Sequence, residues 1–134
     1  METGILISIL GAFSAIIVSL IGAWLANKNT IALQTRKLKE DHYIFYIEAL
    51  HNLIADNIED NINKYVFARD KLFLIANEDV IKKMLKYEHE GAGKEQSLHD
   101  LYLTELIKSI RKDLKLKDKD FPSIYFKKSN KKGL

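Results

Sequence analysis

The sequence predicts an all-α protein: an N-terminal transmembrane helix running into a small cytoplasmic helical bundle, assembled as an oligomer. Three observations carry this reading. The 23 residues from Gly4 to Ala26 contain no charge. No glycine or proline occurs between Gly22 and Gly91, a stretch of 68 residues without a helix breaker. Beyond the uncharged run, apolar residues recur at helical spacing.

Length and composition bound the alternatives. The chain has 134 residues, 47% hydrophobic and 29% charged, which suits one small domain or an anchor with a very small domain. A doubly wound nucleotide-binding domain with a second domain does not fit, nor does a large barrel. With no cysteine, disulfide scaffolds, thiolate zinc sites and cysteine nucleophiles are excluded. The mean hydropathy of -0.15 conceals a segregated chain. It divides into an anchor over residues 1–27, a helical domain over 28–121 and a basic tail over 122–134.

At 1.5 Å per residue the run Gly4–Ala26 spans roughly 34 Å, enough to cross a hydrocarbon core of about 30 Å. A signal peptide would need a positive n-region, and Met1-Glu2-Thr3 has none. Cleavage after Ala26 would also place bulky Trp24 at the −3 position. The run therefore reads as a retained anchor. Lys28, Arg36, Lys37 and Lys39 follow it closely, while only Glu2 precedes it. The positive-inside rule then sets the N-terminus outside and the rest in the cytoplasm, as a single-pass protein of the cell inner membrane.

The span has a face. Gly4, Ser8, Gly11, Ala15, Ser19, Gly22 and Ala26 recur at spacings of three and four, a single helical stripe. Helices in lipid associate through close backbone approach along such small residues. The stripe up to Gly22 is thus the candidate oligomerisation or pore face. Ser8 and Ser19 either point toward a polar lumen or bond back to their own helix carbonyls, the commoner role of such hydroxyls.

Past the span, the first helix is expected to continue into the stretch 37–59, burying Tyr43, Ile44, Ile47, Leu50, Ile54 and Ile58. A second helix is expected over 62–75, with Tyr65, Val66, Arg69, Leu72 and Phe73 inward and Arg69 salt-bridged or at a subunit interface. Asn77 reads as an N-cap with Glu78 and Asp79 in the first turn, opening a third helix over 79–88. Gly91-Ala92-Gly93 reads as a loop. Ser97 with Asp100 forms a capping-box-like start for a fourth helix, whose apolar face runs from Leu98 and Leu101 to Ile110 and Leu114. Pro122 is expected to end regular structure, and 127–134 to form a disordered tail. A core this small is marginal alone, which again points to association between copies.

Charge arrives in blocks. Residues 27–39 hold four basic residues and no acid, 40–107 seven basic and fourteen acidic, and 108–134 ten basic and three acidic. The first block suits anionic headgroups. The last is the candidate contact for a partner or RNA, through Lys108, Arg111, Lys112, Lys127, Lys128, Lys131 and Lys132, or for the acidic body of a neighbouring copy. Arg111 also complements a helix C-terminus, and Asp113 can pair with a nearby cation.

Chemistry is sparse. His42, His51, His89 and His99 show no i, i+4 pair, so no metal site is expected. Tyr87-Glu88-His89-Glu90 reads as a solvated helix end. Phosphate loops, nucleophile elbows and zincin motifs are missing. Arg36 and His42 share the spacing of the Arg–His pair in small helical ribonucleases of prokaryotic defence systems, yet Arg36 is also a positive-inside arginine. Arg111 has no histidine at the matching distance. No enzyme, catalytic residue, cofactor or small-molecule substrate is expected.

Leu72-Phe73-Leu74-Ile75, Asp79-Val80-Ile81 and Leu106-Ile107-Lys108-Ser109-Ile110-Arg111-Lys112-Asp113-Leu114 resemble segments of small bacterial single-span helical proteins. The layout is similar to that of the membrane accessory proteins of type VI-B CRISPR systems. The resemblance implies a self-associating, pore-like or membrane-perturbing effector of antiviral defence, with itself, the bilayer and a defence ribonucleoprotein or RNA as partners. The other expectations are a membrane tether whose basic C-terminal segment recruits RNA or a ribonucleoprotein, and an accessory subunit of a membrane complex.

Overall fold

The computed structural model describes residues 2–125, and these are all-helical. The order is α1 (Glu2–Ala55), α2 (Glu59–Ile75), α3 (Glu78–Lys86), a π-helical turn (Tyr87–Gly91) and α4 (Gln96–Asp113). The chain divides into two compact units, residues 1–38 and 39–134. The hydropathic boundary after residue 27 and this packing boundary measure different things, transfer out of water and tertiary contact.

In the first unit α1 is exposed on every side. It is the one helix among the described residues long and apolar enough to cross a membrane, and none of its most apolar window is buried. Ile7, Phe13, Val18, Leu20 and Trp24 all stand in the open. Nothing among the described residues covers them, so a hydrocarbon surrounding is what would remove them from water.

The second unit has its own core. Tyr43, Tyr46, Ala49 and Leu50 of α1 meet Tyr65, Ala68 and Leu72 of α2, Val80 and Met84 of α3, Tyr87 of the π turn, and Leu103, Leu106 and Ile110 of α4. The stripes expected from periodicity are partly displaced. Ile44, Ile54, Ile58, Val66 and Phe73 are exposed, as are Leu98 and Leu101, while Tyr46 and Ala68 are buried instead. With so few helices to pack against, only a narrow strip of each surface is covered, and four tyrosines are among its largest members.

Local chemistry sets the ends. α1 stops at Ala55, short of the expected residue 59, because Asn61 donates to the carbonyls of Asn52 (3.2 Å) and Asp56 (2.8 Å). That side chain satisfies two acceptors at the helix end and lets the chain turn without glycine. Asn77 caps α3 as expected, its Oδ1 accepting from the Val80 N–H at 3.0 Å. The expected capping box does not form: Glu95 holds the N-cap position without a side-chain bond. Asp100 is drawn to Gln96 and His99 rather than to a backbone amide.

α4 ends at Asp113, well before Pro122, in a Schellman turn. The Leu116 N–H donates to Arg111 O at 2.9 Å and the Lys115 N–H to Lys112 O at 3.1 Å. Lys115 occupies the left-handed position at φ 62°, where glycine is the usual residue. The tail expected at 127–134 lies outside the described residues.

Leu106 is fully buried and Leu101 is 51% exposed. Leu106→Ala should therefore lower unfolding stability by about 2–5 kcal/mol, against less than about 0.5 kcal/mol for Leu101→Ala. Denaturant titration of the detergent-solubilised protein checks the contrast. By the same measurement Lys115→Gly should raise stability by about 0.5–1 kcal/mol, since the left-handed penalty at φ 62° disappears.

Candidate functional site

The most chemically elaborated part of the molecule lies in the second unit, where buried tyrosines end on ionisable partners. Tyr65 Oη donates to Glu88 Oε1 at 2.7 Å, so its single hydrogen is committed. The Tyr46 hydroxyl, 3.2 Å away, must therefore be the donor toward Tyr65. Arg69 brings Nε within 2.6 Å of Glu88 Oε1 and Nη1 within 3.6 Å of Asp70. The Nε contact is an ion pair whose angle does not make a hydrogen bond. The guanidinium also lies over the Phe73 ring at 5.2 Å. This realises the salt-bridged reading of Arg69.

A second array begins at Asp100, only 7% exposed. Its Oδ1 accepts from Gln96 Nε2 at 2.8 Å and lies 3.3 Å from His99 Nδ1. Tyr87 Oη stands 2.9 Å from His99 Nε2. The network assigns the proton to Nδ1, so that Nε2 accepts from the tyrosine. Asp100 thus orients the imidazole and the imidazole holds the phenol.

Both arrays open on one groove of about 1460 Å³. Leu50, Leu53, Ile54 and Ile62 supply an apolar wall, and Tyr65, Glu88, Tyr87 and His99 a polar one. The loop Ala92–Glu95 forms a lip. Gly91 fits closely there: a Cβ would lie 3.0 Å from the Tyr87 ring and 3.1 Å from Tyr102 Cβ, so its neighbours would have to give by a few tenths of an ångström. Gly93 takes φ +71°. Tyr87-Glu88 is therefore not a solvated helix end: Tyr87 is 1% exposed and Glu88 is largely covered by Tyr65 and Arg69. No stretch of sequence marks this site, because its members are scattered over four helices. The one usable signal was the presence of tyrosine at apolar-face positions of successive helices, at 46, 65 and 87.

A third polar cluster joins helix ends. Asp113 accepts from Lys39 Nζ (3.1 Å), from Asn77 Nδ2 (2.9 Å) and from the Tyr43 hydroxyl. The cation expected for Asp113 is thus Lys39. Arg111 is held by Asp118, with Nη2–Oδ1 at 2.7 Å and Nε–Oδ2 at 2.9 Å, and lies over Phe121. That pairing lowers the Asp118 carboxyl below its ordinary range and occupies the strongest cation of the expected RNA contact. Lys108 lies 3.6 Å from Glu105, and Lys112 is exposed. Lys127, Lys128, Lys131 and Lys132 fall outside the described residues.

On α1, Gly4, Ser8, Gly11, Ala15, Ser19 and Gly22 are all exposed. A Cβ at any of the three glycines would meet nothing within 4 Å. Ser8 Oγ donates to Gly4 O at 2.9 Å, the self-bonded arrangement. Arg36 is exposed and His42 half-buried, on either side of the division after Leu38. Among the described residues no group of three or more His, Asp or Glu is placed to hold a metal ion.

Fold and site together define an all-helical protein with one long apolar N-terminal helix and a tyrosine-lined groove in its second unit. No family model, curated relative or solved structure matches the chain.

Burial pushes the Tyr87 phenol up to about 12 from an ordinary 10.0. Burial likewise raises Tyr43, Tyr46 and Tyr65, with the Asp113 bond adding at Tyr43 and the Tyr46 and Glu88 contacts adding at Tyr65. Each phenol holds its proton more tightly folded than unfolded. Their contribution to stability is therefore complete below pH 10.0 and declines from there through about 12 for Tyr87. Phenolate absorbance of the four should appear only together with loss of helical circular dichroism. Early, non-cooperative ionisation of all six tyrosines of the chain would contradict the buried arrays.

Proposed function

We propose that this chain is a single-pass inner-membrane protein with its N-terminus outside. Its copies associate through the small-residue face of α1, and together they perturb the membrane as a pore-like effector in bacterial antiviral defence. The observation that carries the reading is the open stripe on α1. Gly4, Gly11 and Gly22 have free space where a side chain would stand, and Ser8, Ala15 and Ser19 fill the positions between them. In lipid the flanking Leu and Ile gain little by meeting one another, so backbone approach along this stripe is the available source of affinity. The self-bonded Ser8 hydroxyl leaves the stripe suited to close packing. A cytoplasmic second unit, beginning at Lys39, then gathers several copies beneath one patch of bilayer.

Light scattering of the purified protein in mild detergent, corrected for bound detergent, should give one discrete mass of several subunits. Gly11→Leu with Ala15→Leu should return the monomer, because each isobutyl group holds the backbones apart. Liposomes carrying the unaltered protein should then conduct ions, and those carrying the double variant should not. A monomeric unaltered protein overturns the reading.

A further inference from the structure

The groove of the second unit has a mixed character that self-association through α1 does not use. Its apolar wall, with Leu50, Leu53, Ile54 and Ile62, includes two residues that remain about half exposed, Ile54 at 47% and Ile62 at 41%. Its polar wall is rigid. Glu88 is fixed by Tyr65 and Arg69, and His99 by Tyr87 and Asp100, so the groups that would meet a ligand are already oriented.

Charge selects the kind of ligand. The lining itself carries Glu88 and Glu95 against Lys94, and the residues flanking it in sequence add Asp56, Glu59, Asp60 and Glu90 against Lys64. Lys64 is itself paired with Asp60 at 2.9 Å. Arg69 does not cancel this excess, because it faces Asp70 as well as Glu88. Tyr65 and Arg69 both address Oε1 of Glu88, and a carboxylate has acceptor positions on its second oxygen too. Tyr65, whose hydroxyl bonds that carboxylate, lines the groove with it, and an ammonium group is the partner that a carboxylate with an acceptor position to spare binds most strongly. An anion would have to enter against this acidic excess. A bare metal ion lacks a ligand set among the described residues.

We propose that this groove binds a small organic cation with a methylene body, its primary ammonium at Glu88 beside Tyr65 and its hydrocarbon along Leu53, Ile54 and Ile62. The ammonium–methylene chemistry is shared by aliphatic monoamines and linear polyamines. The site belongs wholly to residues 50–99, so it stands or falls independently of assembly through α1.

The test uses the full-length protein in non-ionic detergent, titrated with n-octylamine, spermidine and n-octanol. Ring signals of His51 and His99, both lining the groove, report occupancy by NMR. At least one amine should shift them saturably, with n-octanol about tenfold weaker or more. Stronger binding of n-octylamine assigns a monoamine, and stronger binding of spermidine a polyamine. Glu88→Gln should weaken the bound amine about tenfold without changing the response to n-octanol. Should loss of the Arg69 partner unfold that variant, Ile54→Lys decides: it alters an exposed wall position only, and its ammonium should also weaken the amine about tenfold. The proposal is overturned if n-octanol matches n-octylamine, if neither amine shifts the two rings at about 10 mM, or if Ile54→Lys binds the amine unchanged.

Discussion

The second unit depends on one constraint: the polar tips of four buried tyrosines must each find a partner. An aromatic ring supplies large apolar area, but an unbonded phenol in a dry interior costs about 1–3 kcal/mol. Tyr43 reaches Asp113 at the end of α4, Tyr46 reaches Tyr65 on α2, Tyr65 reaches Glu88 in the π turn, and Tyr87 reaches His99 on α4. Each bond crosses from one element to another. Sliding any helix by a turn would strand at least one hydroxyl, so these four bonds fix the relative register of α1, α2, α4 and the π turn. In a core this small, directional contacts do what sheer packing area does in larger domains.

The helical class, the long apolar first helix and the Asn77 cap were legible in sequence, because each rests on a local pattern; the Lys39 partner of Asp113, 74 residues away, was not. The uncharged run and the breaker-free stretch are properties of consecutive residues. The groove was not legible. Tyr46, Glu88 and His99 are 42 and 11 residues apart, and only tertiary packing brings their arrays to one wall. The displaced stripes have a related cause. Periodicity marks which residues are apolar, whereas the number of neighbours determines how many are covered, and here Leu74 stays 85% exposed. The failed capping box at Ser97 shows the same competition, since Asp100 found stronger partners in Gln96 and His99.

The two units solve opposite solvent problems with one continuous helix. From Glu2 to Leu38, α1 makes no core; between Lys39 and Ala55 it supplies four buried residues. The same helix is uniformly apolar where lipid would be the solvent and narrowly amphipathic where α2 and α4 are the neighbours. Lys28 sits between these regimes, its ammonium 5.2 Å from the Trp24 ring, a pairing suited to a hydrocarbon–water boundary. The basic residues at 36, 37 and 39 then divide their work. Lys39 turns inward to Asp113, while Arg36 and Lys37 remain outside.

The π turn explains why core and groove share a border. Its widened bond, from the Ala92 N–H to Tyr87 O at 2.8 Å, accommodates one residue more than an α turn would. Tyr87 thereby reaches the core and His99, while its neighbour Glu88 reaches Tyr65 and Arg69. At the end of the turn Gly91 approaches Tyr87 and Tyr102 so closely that a Cβ there would crowd both. The following Gly93, in its left-handed conformation, then reverses the chain into the lip and delivers Gln96 and His99 to the same wall. An irregular turn is less stable than the helix it interrupts, so it persists only where its contacts repay the difference. Here those contacts are the ion pair at Glu88 and the phenol–imidazole bond at Tyr87, and both lie on the surface of the groove.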